Sequence, residues 1–160
     1  MLKSKLSASS NDINSKYINN RFDIDANITK EYTKTVDSNN VVLFTYNPSN
    51  DEVIKHIFIT SFDNKESFDL DSIYSRTNKL LKNHLIGSRP NSYVALEDRY
   101  PLVMYNDFYR GLWRLQNGFM GGSILIKPIL KKNKIIIITA LVFDPSSKKR
   151  KYIKEFEAIL

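Results

Sequence analysis

Tyr109-Arg110-Gly111-Leu112-Trp113-Arg114-Leu115-Gln116-Asn117-Gly118-Phe119-Met120-Gly121-Gly122-Ser123-Ile124-Leu125 is the stretch on which the fold turns. Asn117-Gly118 between two extended segments is a strong local signal for a β-hairpin. A type I′ turn needs positive φ at both central residues, which Asn and Gly tolerate. That turn sets the register: Trp113 faces Gly122, Arg114 faces Gly121, Leu112 faces Ser123 and Arg110 faces Leu125. Alternation along paired strands then separates two faces. Tyr109, Gly111, Trp113, Leu115, Met120, Gly122, Ile124 and Ile126 form an apolar face, expected to meet the core. Its indole is expected to lie over the bare backbone of Gly122, as an aromatic ring covers a strand glycine.

The opposite face carries Arg110, Leu112, Arg114, Phe119, Gly121, Ser123 and Leu125. Two guanidinium groups flank Leu112 there, with a hollow at Gly121. Planar guanidinium forks suit a carboxylate or phosphate. Arg110, Leu112, Trp113, Arg114, Gly121, Gly122 and Ser123 are therefore the candidate ligand or partner site. A purely structural reading stands beside it, because strand glycines also mark bulges and close backbone approach, and exposed arginines also serve solubility. Four of the chain's 5 glycines fall in this hairpin, a concentration that sheets do not adopt without cause.

Outward from the hairpin, residues 134–144 continue the sheet after a tight Lys131–Asn133 turn, and Asp144-Pro145-Ser146 leads into a last helix over 147–160. Tyr152, Phe156 and Ile159 share one face of that helix and should dock on the sheet. Lys148, Lys149, Arg150 and Lys151 occupy its first turn. The helix dipole is positive there, so cations are unfavourable by about 0.3–1 kcal/mol each. An anion or acidic partner would offset that cost, which makes the four a candidate anion site. Before the hairpin, Tyr93–Leu96 reads as a short strand, Arg99-Tyr100-Pro101 as an interruption, and Leu102–Tyr105 as a second extended piece. Leu70, Ile73, Tyr74, Thr77, Leu80, Leu81 and Leu85 recur at helical spacing, with Asp69 or Asp71 as N-cap and Gly87 expected in a left-handed C-terminal position. His84 reads as a core-edge residue. Val41–Tyr46 and Val53–Phe62 read as strands, as does the alternation of Phe22, Ile24, Ala26 and Ile28. Residues 1–20 are polar and read as a mobile arm or the worn end of a longer helix, ahead of one domain over 21–160. The fold class is α+β: an antiparallel sheet of five to seven strands with two main helices packed on it.

Composition narrows the function. The chain has 160 residues with 42% hydrophobic and 26% charged, the balance of a globular domain rather than a disordered one. Cys 0 excludes disulfides and thiolate chemistry, and His 2 leaves little material for a metal site or a Ser-His arrangement. No cofactor or metal is expected, and no catalytic residue is assigned. A hydrolase using Asp107 with Glu97 or Asp98 is an alternative. The net charge of +7 suggests a second alternative, an anionic surface or nucleic acid held by Lys131–Lys134 and Lys148–Lys151. Against that, Ile, Lys and Asn all have A/T-rich codons and are all abundant here, so genomic drift accounts for much of the charge. No signal-peptide or membrane-spanning run is visible, so as written the chain reads as cytoplasmic.

Ser92-Tyr93, Tyr109-Arg110-Gly111-Leu112-Trp113, Phe119-Met120-Gly121-Gly122, Phe143-Asp144-Pro145, Lys149-Arg150-Lys151-Tyr152 and Glu155-Phe156-Glu157-Ala158-Ile159 together resemble a Bacteroidetes domain of unknown function, DUF4837. The similarity covers roughly residues 20–160 and is most specific over 109–159. Ser123-Ile124 departs from the Pro-Phe usual after Met-Gly-Gly in that family. The resemblance implies no activity. It implies a relation to envelope lipoproteins, a chain corresponding to the C-terminal half of longer relatives, and membrane association if the true N-terminus lies upstream. The expected function is a non-catalytic binding or structural module. A missing N-terminal half, self-association or an envelope protein would be its partner.

Overall fold

The run Ile135–Phe143, interrupted by Thr139, becomes the centre of the sheet. In the computed structural model, which describes residues 12–63, 69–145 and 150–160, strand β8 (Lys134–Phe143) is flanked on one side by β3 (Ile54–Asp63) and on the other by β7 (Gly121–Leu130). A strand buried on both faces reads as nearly continuous apolar sequence rather than as alternation. β1 (Thr33–Asp37) and β2 (Val41–Tyr46) extend the sheet beyond β3, and β6 (Phe108–Gln116) extends it beyond β7. β4 (Tyr93–Leu96) and β5 (Val103–Tyr105) share the outer edge of β6, one at each end. All pairings are antiparallel. The fold is α+β, with an 8-stranded sheet.

Helices cover both faces. Phe44, Ile57, Leu125, Ile138 and Ala140 point to the face covered by α1 (Ile13–Phe22) and α3 (Arg150–Ile159). Leu43, Phe58, Ile124, Ile126, Ile137 and Leu141 point to the face covered by α2 (Leu70–His84). α3 buries Tyr152, Phe156 and Ile159, the face read from its spacing. Asp69 caps α2, its side chain accepting from the Ser72 amide at 2.8 Å.

Several expectations are corrected. Of the two readings of residues 1–20, mobile arm or end of a helix, the helix holds from Ile13 onward. Its sequence is polar, but Ile18 is fully buried and Phe22 nearly so, and tertiary packing holds it where propensity would not. Residues 1–11 lie outside the described residues. Phe22, Ile24, Ala26 and Ile28 are buried alternately as read, yet they run extended without joining the sheet. In that stretch the Asn27 amide donates to Ile159 at the end of α3. The sheet has one strand more than the expected maximum because Thr33–Asp37, mostly exposed, adds an edge. Gly87 is not left-handed. It is needed for close approach, since a Cβ there would collide with Ser92.

Candidate functional site

The hairpin register is the one the sequence implied. Trp113 pairs with Gly122, Arg114 with Gly121, Leu112 with Ser123 and Arg110 with Leu125. Trp113 is buried, and its indole N–H donates to the Val142 carbonyl at 3.1 Å. A Cβ on Gly122 would stand 2.7 Å from the indole nitrogen, so the ring does lie over bare backbone. The turn differs from expectation. Asn117 has φ 57, but Gly118 is not positive, and Asn117–Met120 forms a wider loop closed by the Leu115 amide on Met120 O at 2.8 Å. Both positive φ values that a type I′ turn requires occur instead at Asn106 and Asp107, between β5 and β6.

The two arginines do not form a pair around Leu112. Arg110 turns to α3, where it is ion-paired with Glu157, and its guanidinium stacks 4.1 Å from the Tyr105 ring centroid. Arg114 approaches the opposite end of the strand, 3.9 Å from Glu97 and 3.7 Å from Asp98. Arg99 holds Glu97 in a fork, Nε and Nη2 donating to its two oxygens at 3.1 and 3.0 Å. That fork, with help from Arg114, holds the Glu97 carboxyl well below the usual range, at about 2. A hollow of about 470 Å³ remains beside this cluster, bordered by Leu112, Trp113, Arg114, Gly121 and Gly122. Tyr100 lines its rim, and Phe119 and Met120 stand at its tip, all three exposed. Five of the seven candidate residues thus share one concavity. Arg110 lies further along its strand, toward α3, and Ser123, though paired with Leu112, does not border the hollow.

The hydrolase pair does not converge. Asp107 occupies the β5–β6 turn, whereas the Glu97 amide donates to Leu112 O. The intervening five residues of strand put the two acids on the order of 15 Å apart. Of the basic clusters, Lys131 lies 3.6 Å from Asp23, and Lys151 is held by its Tyr152 neighbour with its pKa raised. Arg150 and Lys151 are exposed in the first turn of α3. Lys148 and Lys149 lie outside the described residues, so the four-residue anion site is only half described. Among the described residues no group of three or more His, Asp or Glu could hold a metal, and no helix is long and apolar enough to cross a membrane.

Sequence reasoning missed a second concavity. Between α2 and strands β3 and β8 lies a cavity of about 420 Å³. Thr77 and Thr139 line its buried end, Arg76 and His84 are half-buried in its wall, and Lys79 and Asn83 are exposed at its mouth. A hydroxyl at 139 inside an otherwise apolar strand, and one at 77 on the apolar face of a helix, were the available signals. His84 is at the core edge as expected, its ring 5.8 Å from that of Phe58. His56 is half-buried on the same face, its ring 6.5 Å from that of Phe58. The Thr45 hydroxyl is 3.1 Å from its Nδ1, and burial pushes its pKa down to about 4.

No curated protein matches this sequence. The model of the family described as "Domain of unknown function (DUF4837)" matches residues 11–160. That span contains α1, the whole sheet, α2, α3 and the glycine-rich hairpin, so the agreement covers the entire described fold. The chain belongs to the DUF4837 family.

Proposed function

We propose that the chain is a non-catalytic binding module of an envelope-associated protein, with the hairpin hollow as its docking point. The observation that carries this reading is the combination at the β4–β6–β7 end. Leu112, Phe119, Met120 and Tyr100 are exposed around an ordered cluster of Glu97, Arg99 and Arg114. An apolar centre with an arginine-rich rim is the composition of a protein-recognition surface. The envelope assignment rests on the family resemblance set out from the sequence, which relates its members to envelope lipoproteins.

A photo-crosslinking side chain placed at Phe119 in cells tests it. A discrete adduct in the envelope fraction, lost on Leu112→Asp and on Arg114→Glu while both variants keep the parent melting temperature, is the expected result. Adducts confined to the cytosolic fraction, or unchanged by either substitution, would overturn the reading.

A further inference from the structure

We infer that the outer edge of β5 is a dimer interface, on which the same strand of a second copy of this chain docks antiparallel. The inference does not depend on the hairpin hollow, whose border shares only Tyr100 with this surface. Three observations converge on it.

The first is that the sheet protects its other edges. At β1 a bulge between Lys34 and Val36 interrupts the pairing, and Asp37 is ion-paired with Lys34 at 2.8 Å and with Arg21 at 2.6 Å. Bulges and charges of this kind keep an edge strand from pairing with another chain. At β4 the outward amides are already used. Val94 donates to the Leu85 carbonyl at 2.9 Å, and Leu96 to the Asn78 side chain at 2.8 Å. β5 has neither protection. Its pairing with β6 is regular, Val103, Met104 and Tyr105 carry no charge, and among the described residues no strand lies on its outer side.

The second is the register that the backbone dictates. Leu102 sends its amide out of the sheet, to the Tyr74 hydroxyl at 2.7 Å. Outward and inward groups alternate along an antiparallel strand, so the amide and carbonyl of Met104 point outward as well. With the Leu102 amide taken, Met104 is the position where a new strand gains both bonds. A two-fold axis there lets two copies exchange them, and because each Met104 is then used, the pair closes as a dimer rather than a fibre. The same axis sets Val103 opposite Tyr105 of the second copy, twice, a pairing of β-branched and aromatic side chains that stabilises sheets. It also brings the exposed Arg99 end of one segment to the exposed Asp107 end of the other, so opposite charges meet at both ends.

The third is the surface that would be covered. Tyr100, Val103, Met104 and Tyr105 are 52% to 61% exposed within one short segment. The Tyr105 ring is held by the Arg110 guanidinium 4.1 Å from its centroid, and Arg110 by Glu157, so the aromatic is fixed before docking. The four side chains present on the order of 400 Å². Two copies with their backbones bury about 1,000 Å² in all, the lower bound of a specific interface, which sets the expected affinity in the micromolar range.

Sedimentation velocity of the chain from about 1 to about 300 μM tests it, and a single monomer–dimer equilibrium is the expected result. Met104→Pro removes the outward amide without touching a bond to β6, and should be monomeric throughout with the parent far-ultraviolet spectrum. Val103→Lys places a charge on the edge and should be monomeric too, which keeps the test decisive if the proline variant misfolds. Because the chain has Cys 0, a single introduced thiol reports on the register. Across the two-fold, Met104→Cys puts two Cα atoms about 5.5 Å apart, within disulfide reach, and should oxidise to a covalent dimer at least roughly tenfold faster than Phe119→Cys at the hairpin tip. A monomer at every concentration would leave the edge to a strand of other sequence and overturn the inference. So would a dimer that survives in either folded edge variant, or equal oxidation of the two thiol variants.

Discussion

The two faces of the sheet are covered by helices that bury comparable apolar stripes, but they are closed differently. On one face, α3 is tied down along its length. Lys55 meets Glu155 at 2.7 Å, Arg110 meets Glu157, Tyr152 OH donates to Asp144 at 2.6 Å, and Lys127 donates to the carbonyl of Leu160 at 2.6 Å. On the other face, Asn78 and Tyr74 fasten α2 to the amides of Leu96 and Leu102, and the buried hydroxyls of Thr77 and Thr139 lack partners among the described residues. A sheet needs apolar cover on each face to fold, but it does not need each cover to be watertight. Unpartnered hydroxyls and hollows are not confined to the α2 face: the buried hydroxyls of Thr29 and Tyr32 also lack partners among the described residues, and a hollow of about 380 Å³ lies against Lys55, Tyr152 and Glu155. What distinguishes the faces is how their helices are held, by ion pairs at α3 and by neutral hydrogen bonds at α2.

The largest expected effect breaks the α3 face. Phe156 is fully buried, and Phe156→Ala should cost about 3–5 kcal/mol in denaturant unfolding. Leu80→Ala, at the cavity wall, should cost nearer about 2 kcal/mol, the low end for such a truncation, because space already adjoins it. Equal losses would erase the distinction between the faces. Trp113→Ala probes the join between hairpin and sheet. It should cost about 3–4 kcal/mol, because it empties the space over Gly122 and leaves Val142 O without the indole donor.

The third prediction is specific to the α2 face. Burial lowers the His56 pKa from 6.5 to about 4. The unfolded chain therefore binds the extra proton first as pH falls. Stability is full above about pH 6.5, declines by about 1.4 kcal/mol per unit across the window, and levels off below about pH 4 as far as this residue is concerned. His56→Gln should flatten the melting-temperature profile between those values. A profile equally steep in the variant would place the titrating group elsewhere. Glu97, held low by Arg99, contributes in the same direction but only below its usual range, as pH falls toward about 2.

How far the sequence foretold this molecule varies with the range of the interactions involved. The hairpin register was legible because alternation, Asn117-Gly118 and the Gly121-Gly122 pair all agree locally. The face of α3 was legible for the same reason: Tyr152, Phe156 and Ile159 state a helical period. The turn type was not, since Gly118 tolerates more than one backbone conformation and neighbouring loop residues chose between them. α1 was legible only as one of two readings of a polar stretch, because what fastens it, Ile18 and Phe22 in the core and Asn14 donating to the carbonyls of Thr29 and Tyr32, depends on distant chain. The partner of Arg110 was illegible because Glu157 is 47 residues away, and no local pattern brings α3 to that strand position. The α2 cavity left a trace in Thr77 and Thr139, but a threonine in an apolar run becomes informative only once its hydroxyl is known to lack a partner.

How the α2 face is held is tested most directly by the double variant Thr77→Val/Thr139→Val, unfolded in denaturant beside the parent chain. If the two hydroxyls are buried without partners, the variant should be as stable as the parent, or more stable by up to about 2 kcal/mol. A loss of more than about 1 kcal/mol would mean that the hydroxyls make bonds on which the folded state depends, and would contradict the account.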